Sequence, residues 1–199
     1  MTHSQKLFKD FLKSLIPFTA PEFKKIISIF EEVSLKKGDM PIEMGKASNT
    51  ILFITKGVFR EFTLINEEEH TLWISVEGEA VLDVSNFMSG GPSRISVEAL
   101  TNSQVLRTDK ERFEKMLLET PKMSLVMNKV YFQNLHEIRE HQILLKVWPT
   151  QKREELLFEN KPYLFRKEIK IKHLASLLNV HPNSLSRIHN QRSESEQKD

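Results

Sequence analysis

"HLASLLNVHPNSLSRIH", residues His173–His189, is two short apolar-periodic runs separated by Asn-Val-His-Pro. The spacing predicts a helix over Ile171–Leu178, a tight turn and a second helix that starts at once. Asn179 stands where the turn needs a left-handed backbone, a conformation asparagine tolerates better than most residues. Pro182 suits the first turn of the new helix, because the N–H it lacks has no intrahelical partner there. Ala175 is small where the two helices cross, and Leu174, Leu178, Val180, Leu185 and Ile188 supply one shared core. This is the spacing of a helix-turn-helix. Its outer face carries His181, Pro182, Asn183, Ser184, Ser186, Arg187 and Gln191. A helix lying in the major groove shows its early residues to base edges. Arginine there suits guanine and asparagine suits adenine. Lys170 and Lys172, before and on the first helix, are placed for phosphates. The competing reading is an inert helical hairpin.

Charge supports a polyanion partner. The net charge of the 199 residues is +2, but residues 151–199 hold 10 basic and 7 acidic side chains, against 19 and 20 in residues 1–150. Arg166 to Arg192 contains six basic residues and one acidic residue, Glu168. A basic segment at one end is the pattern expected of a nucleic-acid contact. With no cysteine in the chain, disulfides, iron–sulfur clusters and thiolate zinc sites are excluded. No apolar run is long enough for a transmembrane helix, and Met1–Lys13 lacks the core of a signal peptide, so the expected location is the cytoplasm.

Upstream, Leu7, Phe11, Leu15 and Ile16 recur at helical spacing. Phe23, Ile26, Ile27 and Phe30 do so again after a possible cap at Thr19. From Val33 to Thr108 the pattern becomes short apolar runs between Gly- and Asn-containing turns. "ILFIT", "VFREFTLI", "HTLWIS", "SRISVEAL" and "QVLRT" read as strands of a small antiparallel barrel or jelly roll. Helical spacing resumes from Asp109 to about Glu119. A long helix then runs from Pro121 to about Val147, closed by Pro149. At 1.5 Å per residue it spans roughly 40 Å, more than a small barrel needs. Met123, Met127, Tyr131, Leu135, Ile138 and Leu145 form a narrow stripe suited to helix–helix pairing, which predicts a homodimer, the alternative being a plain core helix lying on the barrel. A further helix covers Gln151–Phe158. The fold class is therefore α+β, divided as a barrel over 1–120, a dimerisation helix over 121–148 and a helix-turn-helix unit over 149–199.

Taken together, these parts resemble the Crp/Fnr superfamily of bacterial transcription regulators. "KKGDMPIEMGKASNTILFITKGVFREF" is similar to the family's first barrel strands, "HTLWISVEGEAV" to the next strand and its Gly-Glu turn, and "NVHPNSLSRI" to its turn and recognition helix. "PNSLSRI" and "NFMSGGPS" look most like members from Bacteroidetes-type bacteria. The resemblance implies a cyclic-nucleotide-binding-like sensor barrel and a winged helix-turn-helix. It also implies double-stranded DNA and RNA polymerase as partners and a small-molecule effector. Gly78, Glu79, Arg94 and Ser96 become the effector-site candidates. Little chain follows Gln191 for wing strands.

The departures matter. Members that bind a cyclic nucleotide place a small residue after the phosphate-binding arginine, whereas Ile95 follows Arg94, and the loop Ala80–Ser93 is longer than theirs. Weak or no cAMP binding is expected. No catalytic residue is assigned. A cupin-type enzyme would need clustered histidines, and His70 stands alone in the barrel, so no metal site is expected. His173, His181 and His189 lie in the basic segment, where phosphate contacts are one option. Glu67–Glu69 read as a solvated hairpin tip, and Trp73 and Trp148 as packing residues.

Overall fold

The computed structural model describes residues 1–188. His189 and Gln191 lie outside the described residues. Helices α1 (His3–Leu15) and α2 (Ala20–Ile27) are followed by strands β1 (Glu31–Leu35), β2 (Thr50–Lys56), β3 (Phe59–Ile65), β4 (Glu68–Ser75) and β5 (Ala80–Val81). Helix α3 (Val84–Ser89) interrupts the strands before β6 (Ser96–Ala99) and β7 (Ser103–Asp109). Helices α4 (Lys110–Glu119), α5 (Pro121–Val147) and α6 (Thr150–Asn160), a 3-10 turn (Pro162–Phe165) and α7 (Ile171–Leu177) complete the named elements, and residues 182–188 are helical.

Both first helices start on a threonine. Thr2 accepts from the Gln5 N–H and Thr19 from the Glu22 N–H, with the Gln5 and Glu22 side chains returning the bond. The expected stripe of α1 is displaced by one residue. Phe8 and Leu12 are its buried line, while Leu7, Phe11 and Leu15 are half-buried flanks.

The strands form two antiparallel sheets, ordered β1-β7-β2-β5 and β4-β3-β6. "ILFIT" is apolar throughout because β2 is covered on both faces. Leu52 and Ile54 face the second sheet with Phe59, Val97 and Val105, whereas Ile51 and Phe53 face the helices with Phe8, Leu12 and Met123. Gly57 turns β2 into β3 at φ +114°, and a Cβ there would sit 2.0 Å from Ser103 Oγ. Helix α3 is absent from the sequence reading, since six residues are too few to show a period.

Helix α5 matches its predicted bounds at 27 residues. Its first turns are core: Met123 and Val126 are each 2% exposed, against α1 and α4. Met123 is thus a core residue, not a surface residue of a pairing stripe, and Met127 is half-buried in the same cluster.

The C-terminal helices share a core with the barrel. Leu157, Leu164, Leu174, Ala175, Leu178 and Leu185 pack together with Val58, Ile74, Val76 and Leu100. Ser176 Oγ accepts from the Thr71 N–H of β4 at 2.8 Å. At the end of α7 the Val180 N–H bonds the Ala175 carbonyl at 2.9 Å and the Asn179 N–H bonds that of Ser176 at 3.0 Å, with Asn179 at φ +53°. This is the Schellman pairing, which requires a left-handed residue at Asn179. Asn179→Val should therefore cost about 1–2 kcal/mol, and Asn179→Gly only a few tenths. Urea denaturation measures both, and equal stability of the two variants would contradict the assignment.

Candidate DNA-binding surface and effector pocket

The helical stretch 182–188 sits on α7 through Leu185, which is fully buried, and Ile188, which is half-buried. Its other side is open. Asn183 and Arg187, one turn apart, are exposed, as is His181, and Pro182, Ser184 and Ser186 are half-buried between them. His181 Nδ1 accepts from the Asn183 N–H at 3.2 Å and so caps the helix. Lys170, the residue before α7, and Lys172 on it are also exposed. Arg153 of α6 donates to the Leu178 carbonyl at 3.1 Å and to the Trp148 carbonyl at 2.7 Å, tying α6 to the end of α7.

His173 is not a phosphate ligand. It is 5% exposed and faces the barrel, where its Nδ1 lies 3.0 Å from Arg60 Nη1. A guanidinium can only donate, so Nδ1 accepts and the ring is neutral. Burial and the neighbouring cations Arg60 and Lys172 push the His173 pKa down to about 4. Arg60 also donates to Glu98 through Nε and Nη2 at 3.2 and 2.7 Å, and to Glu69 at 2.7 Å, and it covers the Phe62 ring. Its hydrogen bond holds the Glu69 carboxyl below the ordinary range. Glu69 is thus a partner of a buried cation and not merely part of a solvated tip. The sequence reading missed Arg60. Its place opposite Glu98 is set by β3–β6 register, which joins residues far apart in the chain.

A cavity of about 500 Å³ lies between the barrel and α5, lined by Glu61, Trp73, Gly78, Glu79, Tyr131 and Leu135 among others. Gly78 and Glu79 thus both line it. Arg94 and Ser96 do not line it. Arg94 is exposed, and its carbonyl accepts from the Thr63 hydroxyl; Ser96 is buried, with its hydroxyl accepting from the Met44 N–H. The reason is local. Ser93, its neighbour, turns inward, donating to Asp83 at 2.5 Å and accepting from the Ile95 N–H at 3.2 Å, and the chain bends at Arg94. Asp83 also caps α3 by accepting from the Asn86 N–H at 3.2 Å, so a carboxylate of the chain itself occupies that helix start.

The cavity is acidic. Glu79 accepts from the Ser75 hydroxyl and the Val76 N–H, and burial raises its pKa despite the opposing pull of Lys161. Glu61 has no hydrogen-bond partner among the described residues, and burial, with the charges of Glu79 and Asp83, pushes its pKa up to about 7. Lys161 is engaged elsewhere, 2.6 Å from Glu137 and over the Trp73 ring. Among the described residues no three His, Asp or Glu side chains are grouped to hold a metal, and no described helix is long and apolar enough to cross a membrane.

Beyond its first turns α5 shows an apolar face to solvent. Phe132 is 73% exposed, and Leu125, Tyr131, Leu135 and Ile138 are exposed beside it, while Leu145 is half-buried.

Residues 32–120 match the cyclic nucleotide-binding domain family. No curated protein is matched by the sequence. Among solved structures, FixK2 from Bradyrhizobium japonicum is similar at 16% identity and a TM-score of 0.72, over 84% of this chain and 86% of that one. The c-di-GMP-responsive global regulator CLP of Xanthomonas campestris is similar at 13% identity and a TM-score of 0.69, over 89% and 93% of the two chains. The catabolite activator protein of Thermus thermophilus is similar at 17% identity and a TM-score of 0.55, over 94% and 88%. At these identities the likeness is one of fold.

Proposed function

We propose that this chain, which carries a cyclic nucleotide-binding domain over residues 32–120 and the fold of the Crp/Fnr regulators, is a DNA-binding transcription regulator and not an enzyme. The observation that carries the reading is the Schellman turn at Asn179, after which residues 182–188 present Asn183 and Arg187 to solvent beside Lys170 and Lys172. The chain divides, on this reading, into a sensor barrel over 1–120, a dimerisation helix over 121–148 and a DNA-binding unit over 149–199. It works as a cytoplasmic homodimer on a near-palindromic operator, with RNA polymerase as partner by family resemblance and a small effector in the barrel. Selection of bound DNA from a random pool tests it. Recovery of no shared sequence would favour the second reading, an effector-binding module with a structural hairpin. The burial of His173 against Arg60 favours that second reading, because it fixes α7 to the barrel.

The dimer face is the exposed line Leu125, Phe132, Leu135 and Ile138, since a monomer gains nothing by leaving Phe132 in water. Phe132→Glu should give a folded monomer by light scattering where the wild type is a dimer at micromolar concentration. A wild-type monomer there would end the proposal.

A cyclic nucleotide does not fit the cavity. Its phosphate would meet the carboxyls of Glu61 and Glu79, while Arg94 points away and Asp83 fills the α3 start.

A further inference from the structure

The cavity against α5 holds one carboxyl without a partner among the described residues, Glu61, beside a second, Glu79, whose charge Lys161 offsets only in part. Glu61 projects from the middle of β3 and Glu79 from the turn before β5, and both line the same space of about 500 Å³. That size falls in the range of small-molecule sites. Much of the remaining wall is apolar or aromatic, Phe11, Leu72, Leu82, Tyr131 and Leu135 among it, with Gln133, Asn134 and the Lys161-paired Glu137 as polar neighbours on α5. Glu79 has two internal donors, but Glu61 has none among the described residues. Glu61 is half-buried, and even partial removal of an ionised carboxylate from water without a partner is unfavourable. Lys161, whose charge acts on Glu79, is bound to Glu137 and lies over the Trp73 ring at the cavity wall. What is missing is a counter-ion from outside.

We infer that this cavity binds a small organic cation, an alkyl- or arylalkylammonium, with its charge held between Glu61 and Glu79 and its hydrocarbon body against the α5 wall. The inference rests on the reading of the barrel as a sensor and names the chemical class of its effector. An ammonium head donates to both carboxyls and removes their mutual repulsion, which strengthens in a low-dielectric space. The apolar body displaces water from Tyr131 and Leu135. An anion meets the reverse field, since Glu61, Glu79 and the Asp83 carboxylate all lie on that side.

Protonation gives a second signature. Glu61 titrates at about 7, so a cation meets an ionised partner above that pH and a neutral one below it. The other groups facing it do not mask this. Asp83 sits at the start of α3, Glu137 on α5 is paired with Lys161, and the Tyr163 phenol is pushed up by burial and by Glu79 and Glu137, so it stays neutral.

Isothermal calorimetry on the full chain, without DNA, tests the inference with three probes: 2-phenylethylammonium, its neutral analogue 2-phenylethanol, and cAMP. The expected result at pH 8 is saturable binding of the amine, at least tenfold tighter than the alcohol, and no saturable binding of cAMP. Amine affinity should fall at least fivefold at pH 6, and at least tenfold in Glu61→Gln. Absence of amine binding, equal binding of amine and alcohol, preference for cAMP, or undiminished binding by a folded Glu61→Gln would each overturn it. The amine–alcohol comparison uses the unaltered protein, so it decides even where the variant fails to fold. Failure here leaves DNA recognition standing, and failure of DNA selection leaves amine binding standing, so the two are separable.

Discussion

Arg60→Ala should lower the stability of the folded chain by about 3 kcal/mol or more, the range seen when one partner of a buried ion pair is removed. The Arg60 side chain is 4% exposed, and its guanidinium serves three acceptors on two strands and a helix. Truncation leaves Glu98, 22% exposed, with its charge and no partner in a partly dry site. Glu69 is 43% exposed and regains water, so it adds little. The His173 nitrogen loses its donor. Arg60→Lys should not restore the loss, because an ammonium cannot reach Glu98, Glu69 and His173 with the geometry of a planar fork. Urea melts give both values. An Arg60→Ala variant within about 1 kcal/mol of wild type would place this pair with exposed surface pairs and refute the account.

On the selected operator, Arg187→Ala should weaken binding by roughly 1–3 kcal/mol per half-site, which a twofold-symmetric dimer counts twice, and should relax preference at one base pair in each half. Arg187 is exposed one position before half-buried Ile188, on the same face as Asn183. A planar side chain with paired donors matches the two acceptors of guanine in the major groove. Lys172→Ala removes an exposed charge that the proposed function assigns to phosphate instead. It should weaken all sequences alike and reduce the salt slope by about one unit. Titrations at several salt concentrations, on operator and on scrambled DNA, separate the two effects. Unchanged affinity and base preference in Arg187→Ala would hand the stretch 182–188 to the structural-hairpin reading.

What the sequence carried well was chemistry settled within a few residues. Asn179 and Pro182 mark the turn by their own backbone preferences, Pro121 and Pro149 bracket α5, and Thr19 caps α2 where the spacing placed it. What it hid depends on partners far along the chain. Arg60 meets Glu98 only through strand register and His173 only through the packing of α7 on β4. Arg94 was a reasonable anion ligand by position, but the bond from Ser93 to Asp83 turns it outward. Met123 continued the spacing of the α5 stripe, yet the start of that helix lies on α1 and α4, so the same period runs from core to surface along one rod. The acidity of the cavity came from two carboxylates that are unremarkable apart, one on a strand and one in a turn.

The shared cluster of Val58, Ile74, Val76 and Leu100 with the helices around Ala175 joins the barrel and the C-terminal helices in one core. One shared core predicts one heat-absorption peak in scanning calorimetry, with the C-terminal helices and the barrel unfolding together. A ligand that binds only the folded barrel would therefore raise the temperature at which the C-terminal helices come apart, by mass action alone and without any hinge. On the proposed function, a cell that supplies such a ligand would lengthen the life of the whole chain, and one that withdraws it would expose all of it to proteases.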